Sequence, residues 1–121
     1  MDIAVLRPNP DEEFYTPERC YILEMSNSTA DEQLSVARAR VEAGVSTAFH
    51  RVNATAERYV VLEGQGDVEI GGSPPEAVRA GDVVLIPPGV DQRITNTGRD
   101  DLIFLAICTP RFRNENYIDT E

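Results

Sequence analysis

The chain has 121 residues, 41% of them hydrophobic, which is enough for one ordinary core and points to a single domain. Its 21 acidic against 11 basic residues leave a formal charge of −10, which repels phosphate backbones and anionic membrane surfaces. No apolar run approaches the roughly 20 residues that span a bilayer, and Met1 to Pro10 holds no basic segment followed by an apolar one, so neither nucleic acid nor membrane is expected as a partner and a soluble cytoplasmic protein is.

Residues 1–18 carry three prolines and the acidic cluster Asp11, Glu12 and Glu13 with little periodicity, and are expected to form an arm or loop. Cys20 to Met25 and Leu34 to Val41 are short runs of roughly alternating character separated by the polar stretch Ser26 to Gln33, and predict two strands. Beyond Gly44 the chain is cut at short intervals by glycine and proline, the residues that turns require, which favours an all-β sandwich or barrel over residues 19–109. Tyr59 to Leu62, Val83 to Ile86 and Leu102 to Ile107 supply strands that are apolar on both faces. A strand of that kind is covered twice, by the barrel interior and by a second sheet or subunit, and a homodimer is expected. The tail, residues 110–121, is polar enough for a helix or an arm. The two cysteines, Cys20 and Cys108, form neither a C-x-x-C pair nor a dense disulfide framework and read as buried reduced thiols, with a bridge between them left open.

Two stretches carry more information. In the first, Gly44 is followed by His50, Val52, Glu57 and Gly64; in the second, Gly81 is followed by Pro87, Gly89, Gln92 and Asn96. These spacings resemble the two motifs of the cupin superfamily, with eight of ten fixed positions matching. The resemblance covers about Leu34 to Cys108 and implies the cupin fold, a double-stranded β-helix or jelly-roll barrel, here with an N-terminal arm. Gly64 and Gly81 fall where strands reverse, Pro87, Pro88 and Gly89 make a rigid corner before Gln92, and Asn96 is placed to cap a turn near Thr97 and Gly98. All are read as scaffold.

The resemblance also implies a divalent metal held inside the barrel by two histidines and a glutamate of the first motif and a histidine of the second. This chain keeps His50 and Glu57, puts Val52 where the second histidine would stand, and offers Gln92 in place of the last. Valine has no lone pair, and an amide oxygen is a weaker donor to transition metals than imidazole. The expected ligand set is therefore His50, Glu57 and Gln92, with iron, manganese, zinc or nickel as candidate ions and a metal-free polar cluster as the alternative. Strand alternation adds Tyr59 and Val61 on the face of Glu57, Ala48 and Val52 on that of His50, and Ile94 on that of Gln92 as pocket residues. Glu57 and Tyr59 are the candidate proton-transfer groups. Arg58 and Arg93 are placed outward by the same alternation, Arg38 and Arg40 are read as solvated surface, and Phe49 and Phe104 as packing. Three functions are open to such a chain: a metal-assisted isomerase, lyase or cyclase on a small polar metabolite, a non-catalytic sugar- or metabolite-binding module, and a dimeric interaction protein whose pocket is filled by its own side chains.

Overall fold

The structure is a computed structural model and describes residues 1–121. Eleven strands run in chain order: β1 (Phe14–Tyr15), β2 (Tyr21–Ser26), β3 (Ser35–Val41), β4 (His50–Val52), β5 (Ala56–Glu63), β6 (Gln65–Ile70), β7 (Glu76–Arg79), β8 (Val83–Ile86), β9 (Gln92–Asn96), β10 (Leu102–Thr109) and β11 (Tyr117–Asp119). They form a six-stranded sheet in the order β1-β2-β3-β10-β5-β8 and a five-stranded sheet in the order β11-β4-β9-β6-β7, with neighbours antiparallel throughout. The all-β barrel expected from the glycine and proline punctuation is what forms. No helix is long and apolar enough to cross a membrane.

Alternation decides which side chains meet between the sheets. In β5, Glu57, Tyr59 and Val61 are buried while Arg58 and Val60 are only partly so; in β9, Gln92, Ile94 and Asn96 are buried between the half-exposed Arg93 and Thr95. Val41, Val61, Val68, Ile94, Leu102 and Phe104 belong to one core cluster, and fully burying a side chain of this size contributes about 1.5–3 kcal/mol. Register aligns Val60 with both Val83 and Leu105 on the outer side of the six-stranded sheet, so the runs that are apolar on both faces leave Leu62, Val83 and Leu85 exposed there.

Two turn residues act as scaffold in ways the geometry makes plain. Gly64 has φ +86°, and a Cβ there would lie 2.9 Å from the Asp101 carbonyl oxygen, so a side chain is excluded on both counts. Asn96 donates its amide to the Val41 and Asp100 carbonyls at 2.9 and 2.8 Å and accepts the Gly98 N–H at 2.8 Å, capping the turn that precedes β10.

The arm and the tail are both tied into the sheets. A 3-10 turn at Pro10–Glu12 leads into β1, which pairs with β2, and the Glu13 carboxylate accepts hydrogen bonds from Arg38 and Arg40, the shortest at 2.6 Å. Arg40 also reaches Asp101 and lies over the Tyr21 ring at 4.1 Å. The two arginines therefore clamp the arm to the outside of β3, whereas Ala37 and Ala39 face inward. In the tail, a 3-10 turn at Asn114–Asn116 precedes β11, which adds a strand to the second sheet beside β4 in place of the helix or free arm its polarity suggested.

Candidate active site

Between the sheets lies a cavity of about 470 Å³, a size typical of small-molecule sites. β5 places Glu57 and the Tyr59 ring on its wall, β4 places His50 and Val52, and β10 contributes Phe104, Ala106 and Cys108. The arm closes it with Phe14, Thr16 and Glu18, and the tail with Phe112, Asn114 and Tyr117. A pocket filled by its own side chains is thus not what the chain builds.

Several contacts fix the arm. Thr16 donates both its amide and its hydroxyl to the Cys20 carbonyl, at 2.9 and 3.0 Å, closing a turn around Glu18. Arg19 takes φ 69°, a left-handed conformation uncommon outside glycine, held by its Nε donating to the Ser46 carbonyl at 2.9 Å and its guanidinium paired with Glu121. The Ala48 N–H then donates to the Glu18 carbonyl at 3.1 Å, which seats Glu18 beside the start of β4. In the tail, Phe112 is held by its amide donating to Ser35 Oγ and its carbonyl accepting from Asn27.

His50 is 5% exposed and its Nδ1 lies 2.8 Å from the Ala48 carbonyl, to which it donates. With Nδ1 so engaged, Nε2 is the nitrogen left for chemistry, an acceptor in the neutral ring and a donor in the imidazolium. The Tyr117 ring stacks on the imidazole at 5.0 Å and 21°, because the β4–β11 register sets Tyr117 opposite Val52, and Glu18 Oε2 lies 3.8 Å from Nδ1. Burial raises the carboxyl of Glu18, with the neighbouring His50 and Tyr117 acting in the opposite sense.

Glu57 is 8% exposed, and its Oε1 is buried with no hydrogen-bond partner. Burial pushes its carboxyl up to about 7, the charge of Glu18 adds to the rise, and His50 and Gln92 oppose it. Burial also drives the Tyr59 phenol well above its ordinary range, with Glu57 reinforcing the shift. The Tyr59 hydroxyl donates to Oε1 of Gln92. Tyr59 therefore lines the cavity and holds the Gln92 side chain through its hydroxyl. Burial likewise pushes the thiols of Cys20 and Cys108, both free, up to about 12.

The expected pocket is corrected in part. Val52 lines the cavity, but Val61 and Ile94 pack in the core beneath it, and Ala48 contributes its carbonyl to His50 while its side chain stays off the wall. Gln92 pairs with His50 in register and is only 1% exposed, yet it lies behind the wall with its oxygen engaged by Tyr59. Only His50 and Glu57 of the expected ligand set offer free donors to the cavity, and no three His, Cys, Asp or Glu side chains are grouped closely enough to hold a metal ion. First-row metal centres ordinarily take three or more protein ligands, so the residues present do not fit the ion that the resemblance implies. Arg58, bonded to Thr109, and Arg93, bonded to Glu69, both point away from the cavity as alternation required.

Glu18 and Tyr117 are the residues that sequence reading missed. They sit in segments without periodicity, and only the arm crossing β4 and the pairing of β11 bring them to His50. A trace of the second was present: Tyr-Ile-Asp alternates as a strand does.

Comparison with known proteins places these features. The Cupin_2 family, described as Cupin domain, matches residues 37–108. The uncharacterized protein MJ1618 of Methanocaldococcus jannaschii is 34% identical over 87 residues, 72% of this chain and 66% of that protein. An oxalate-binding protein of Thermotoga maritima is 35% identical over 71 residues, 59% of this chain and 58% of that protein. In both cases the chain spans less than two thirds of the relative's own length. Among solved structures, the nucleoside dehydratase Pac13 of Streptomyces superposes with a TM-score of 0.80 at 16% identity, covering 98% of this chain and 92% of that one, a likeness of fold.

Proposed function

Because the chain belongs to the cupin family, whose members with this barrel include small-molecule proteins, we propose that its cavity is the active site of an enzyme that moves protons on a small polar metabolite, in the isomerase, lyase or cyclase class. The observation that carries this reading is Glu57: a buried carboxyl on the cavity wall, with one oxygen unpartnered and its titration near neutrality. A carboxylate so placed accepts a proton from an acidic carbon, and a general base is most effective when its pKa lies near the working pH. His50, oriented by the Ala48 carbonyl and backed by Glu18, is the complementary acid. In an elimination, the C–H bond breaks with its proton going to Glu57, the electron pair forms the new double bond, and the leaving oxygen departs with a proton from imidazolium His50. No step is routed through a metal, since the donor set does not fit one.

The test is deuterium incorporation from D2O, followed by proton NMR, across a panel of enolisable carbonyl and β-hydroxy carbonyl compounds. Oxalate joins the panel because the Thermotoga relative is named for binding it, and nucleosides join it because Pac13 is a nucleoside dehydratase. Exchange or elimination by the wild type and its loss in Glu57→Gln supports the reading. Ligand binding with no exchange in any compound identifies a non-catalytic binding module instead. We also propose that a second copy of the chain covers the outer face of the six-stranded sheet, supported by the apolar row of Val60, Val83 and Leu105 beside the exposed Leu62 and Leu85.

A further inference from the structure

We infer that the cavity selects a ligand bearing a positive charge on a compact, partly apolar body, such as a primary amine or quaternary ammonium compound, in preference to a carboxylate or phosphate of similar shape. This deepens the proposed function and rests on reading the cavity as a small-molecule site. Three carboxylates line the wall, Glu18, Glu57 and Glu24, against one histidine. None of the chain's 11 basic residues is among the lining side chains. The arginines with ion-pair partners are committed elsewhere: Arg38 and Arg40 to Glu13, Arg19 to Glu121, Arg93 to Glu69, and Arg111 and Arg113 to Glu32.

The acidic wall is joined by an independent feature. Glu57 is more than nine-tenths buried, lies on the cavity wall and has an oxygen with no donor in the protein. A buried carboxylate in that state is costly until a donor or an opposite charge reaches it; the N–H of a primary ammonium supplies both, and a quaternary ammonium the charge alone. An anion in the same place brings no donor and meets like charge in a low-dielectric setting, where Coulomb interactions are several times stronger than in water. The rest of the wall favours the same ligand. Phe14, Phe112 and Tyr117 add aromatic rings to the lining, a residue type that attracts cations and accommodates the alkyl groups beside them.

Three probes of nearly one shape and different charge read this directly: benzylammonium, benzyl alcohol and benzoate, titrated into the intact protein at pH 8 by amide-shift NMR. The expected order is benzylammonium tightest and benzoate weakest, with a cation-to-anion ratio on the order of tenfold or more. Glu57→Gln and, separately, Glu18→Gln should each lower that ratio several-fold while the alcohol's affinity moves little. Glu18 is half-buried at the mouth, so its variant keeps the test available should Glu57→Gln fail to fold. Benzoate binding as tightly as benzylammonium, a ratio unchanged in both variants, or no binding by any probe at millimolar concentration overturns the inference. The readout is affinity, so it stands or falls whether or not any compound exchanges deuterium.

Discussion

Replacing Glu57 by glutamine is expected to stabilise the protein, and by an amount that depends on pH. The buried carboxyl titrates at about 7 in the fold against an ordinary value of 4.5. Between those two values the native state holds a proton that the unfolded state has released, so wild-type stability falls as pH rises through this window and the loss is complete above it. At about 1.4 kcal/mol per pKa unit, the full penalty is about 3 kcal/mol at pH 8 and below about 1 kcal/mol at pH 5. Glutamine cannot ionise and escapes that penalty, while keeping the shape of the side chain. Urea unfolding of wild type and Glu57→Gln at pH 5 and pH 8 measures the difference; the carboxylates away from the cavity cancel because both proteins carry them, and the relief of Glu18 by loss of its charged neighbour acts in the same direction. A gain at pH 8 that shrinks toward pH 5 is the expected result. A loss of stability at pH 8 would refute the reasoning, because it would mean that ionised Glu57 is stabilised in the fold and not penalised by its burial.

Four further outcomes are expected. Tyr59→Phe leaves the buried Gln92 oxygen without its donor and should cost about 1–3 kcal/mol in chemical denaturation; an unchanged midpoint would mean that the hydroxyl is not so engaged. Protein prepared without added metal should carry well under one equivalent of iron, manganese, zinc or nickel by elemental analysis, and His50→Ala should carry no less; a full equivalent lost in the variant would show that Gln92 turns to complete a ligand set. Cys20 and Cys108, buried and shifted to about 12, should react slowly with a disulfide reagent at pH 8 and promptly in denaturant. Leu85→Glu should convert a dimer to a monomer in light scattering, whereas a wild type that is already monomeric removes the proposed interface.

The barrel is legible in the sequence because its signals are local. Gly64 and Asn96 sit where only a left-handed glycine or a capping amide satisfies the turn, and the alternation of Glu57, Tyr59 and Val61 states one face of β5 outright. The same period-two rule assigns His50 and Glu57 to the interior and Arg58 and Arg93 to the outside. It does not tell depth along the barrel, so it puts Val61 and Ile94 in the pocket although they lie below its floor, and it does not show that Tyr59 takes the oxygen of Gln92. Glu18 and Tyr117 are invisible to it for a different reason: their positions depend on long-range contacts, Ala48 with the Glu18 carbonyl and Val52 with Tyr117, that no window of neighbouring residues contains. The clamp of Glu13 by Arg38 and Arg40 belongs to the same class.

The front wall of the cavity has a separate fate from its floor. The floor is core, built on Tyr59, Phe104 and Ala39, and opens only with the barrel. The wall formed by Phe14, Glu18, Phe112 and Tyr117 hangs on a two-residue strand, a three-residue strand and surface ion pairs such as Arg19 with Glu121. Segments with so few buried contacts detach at a free energy well below that of global unfolding. Salt screens exposed pairs, so raised ionic strength is expected to loosen the entrance before the barrel, a difference that amide exchange in β1 and β11 reads. An opening of that wall would let water reach Glu57 and bring its carboxyl back toward an ordinary acid, so ionic strength would act on the chemistry of the site through a door, with the barrel unchanged.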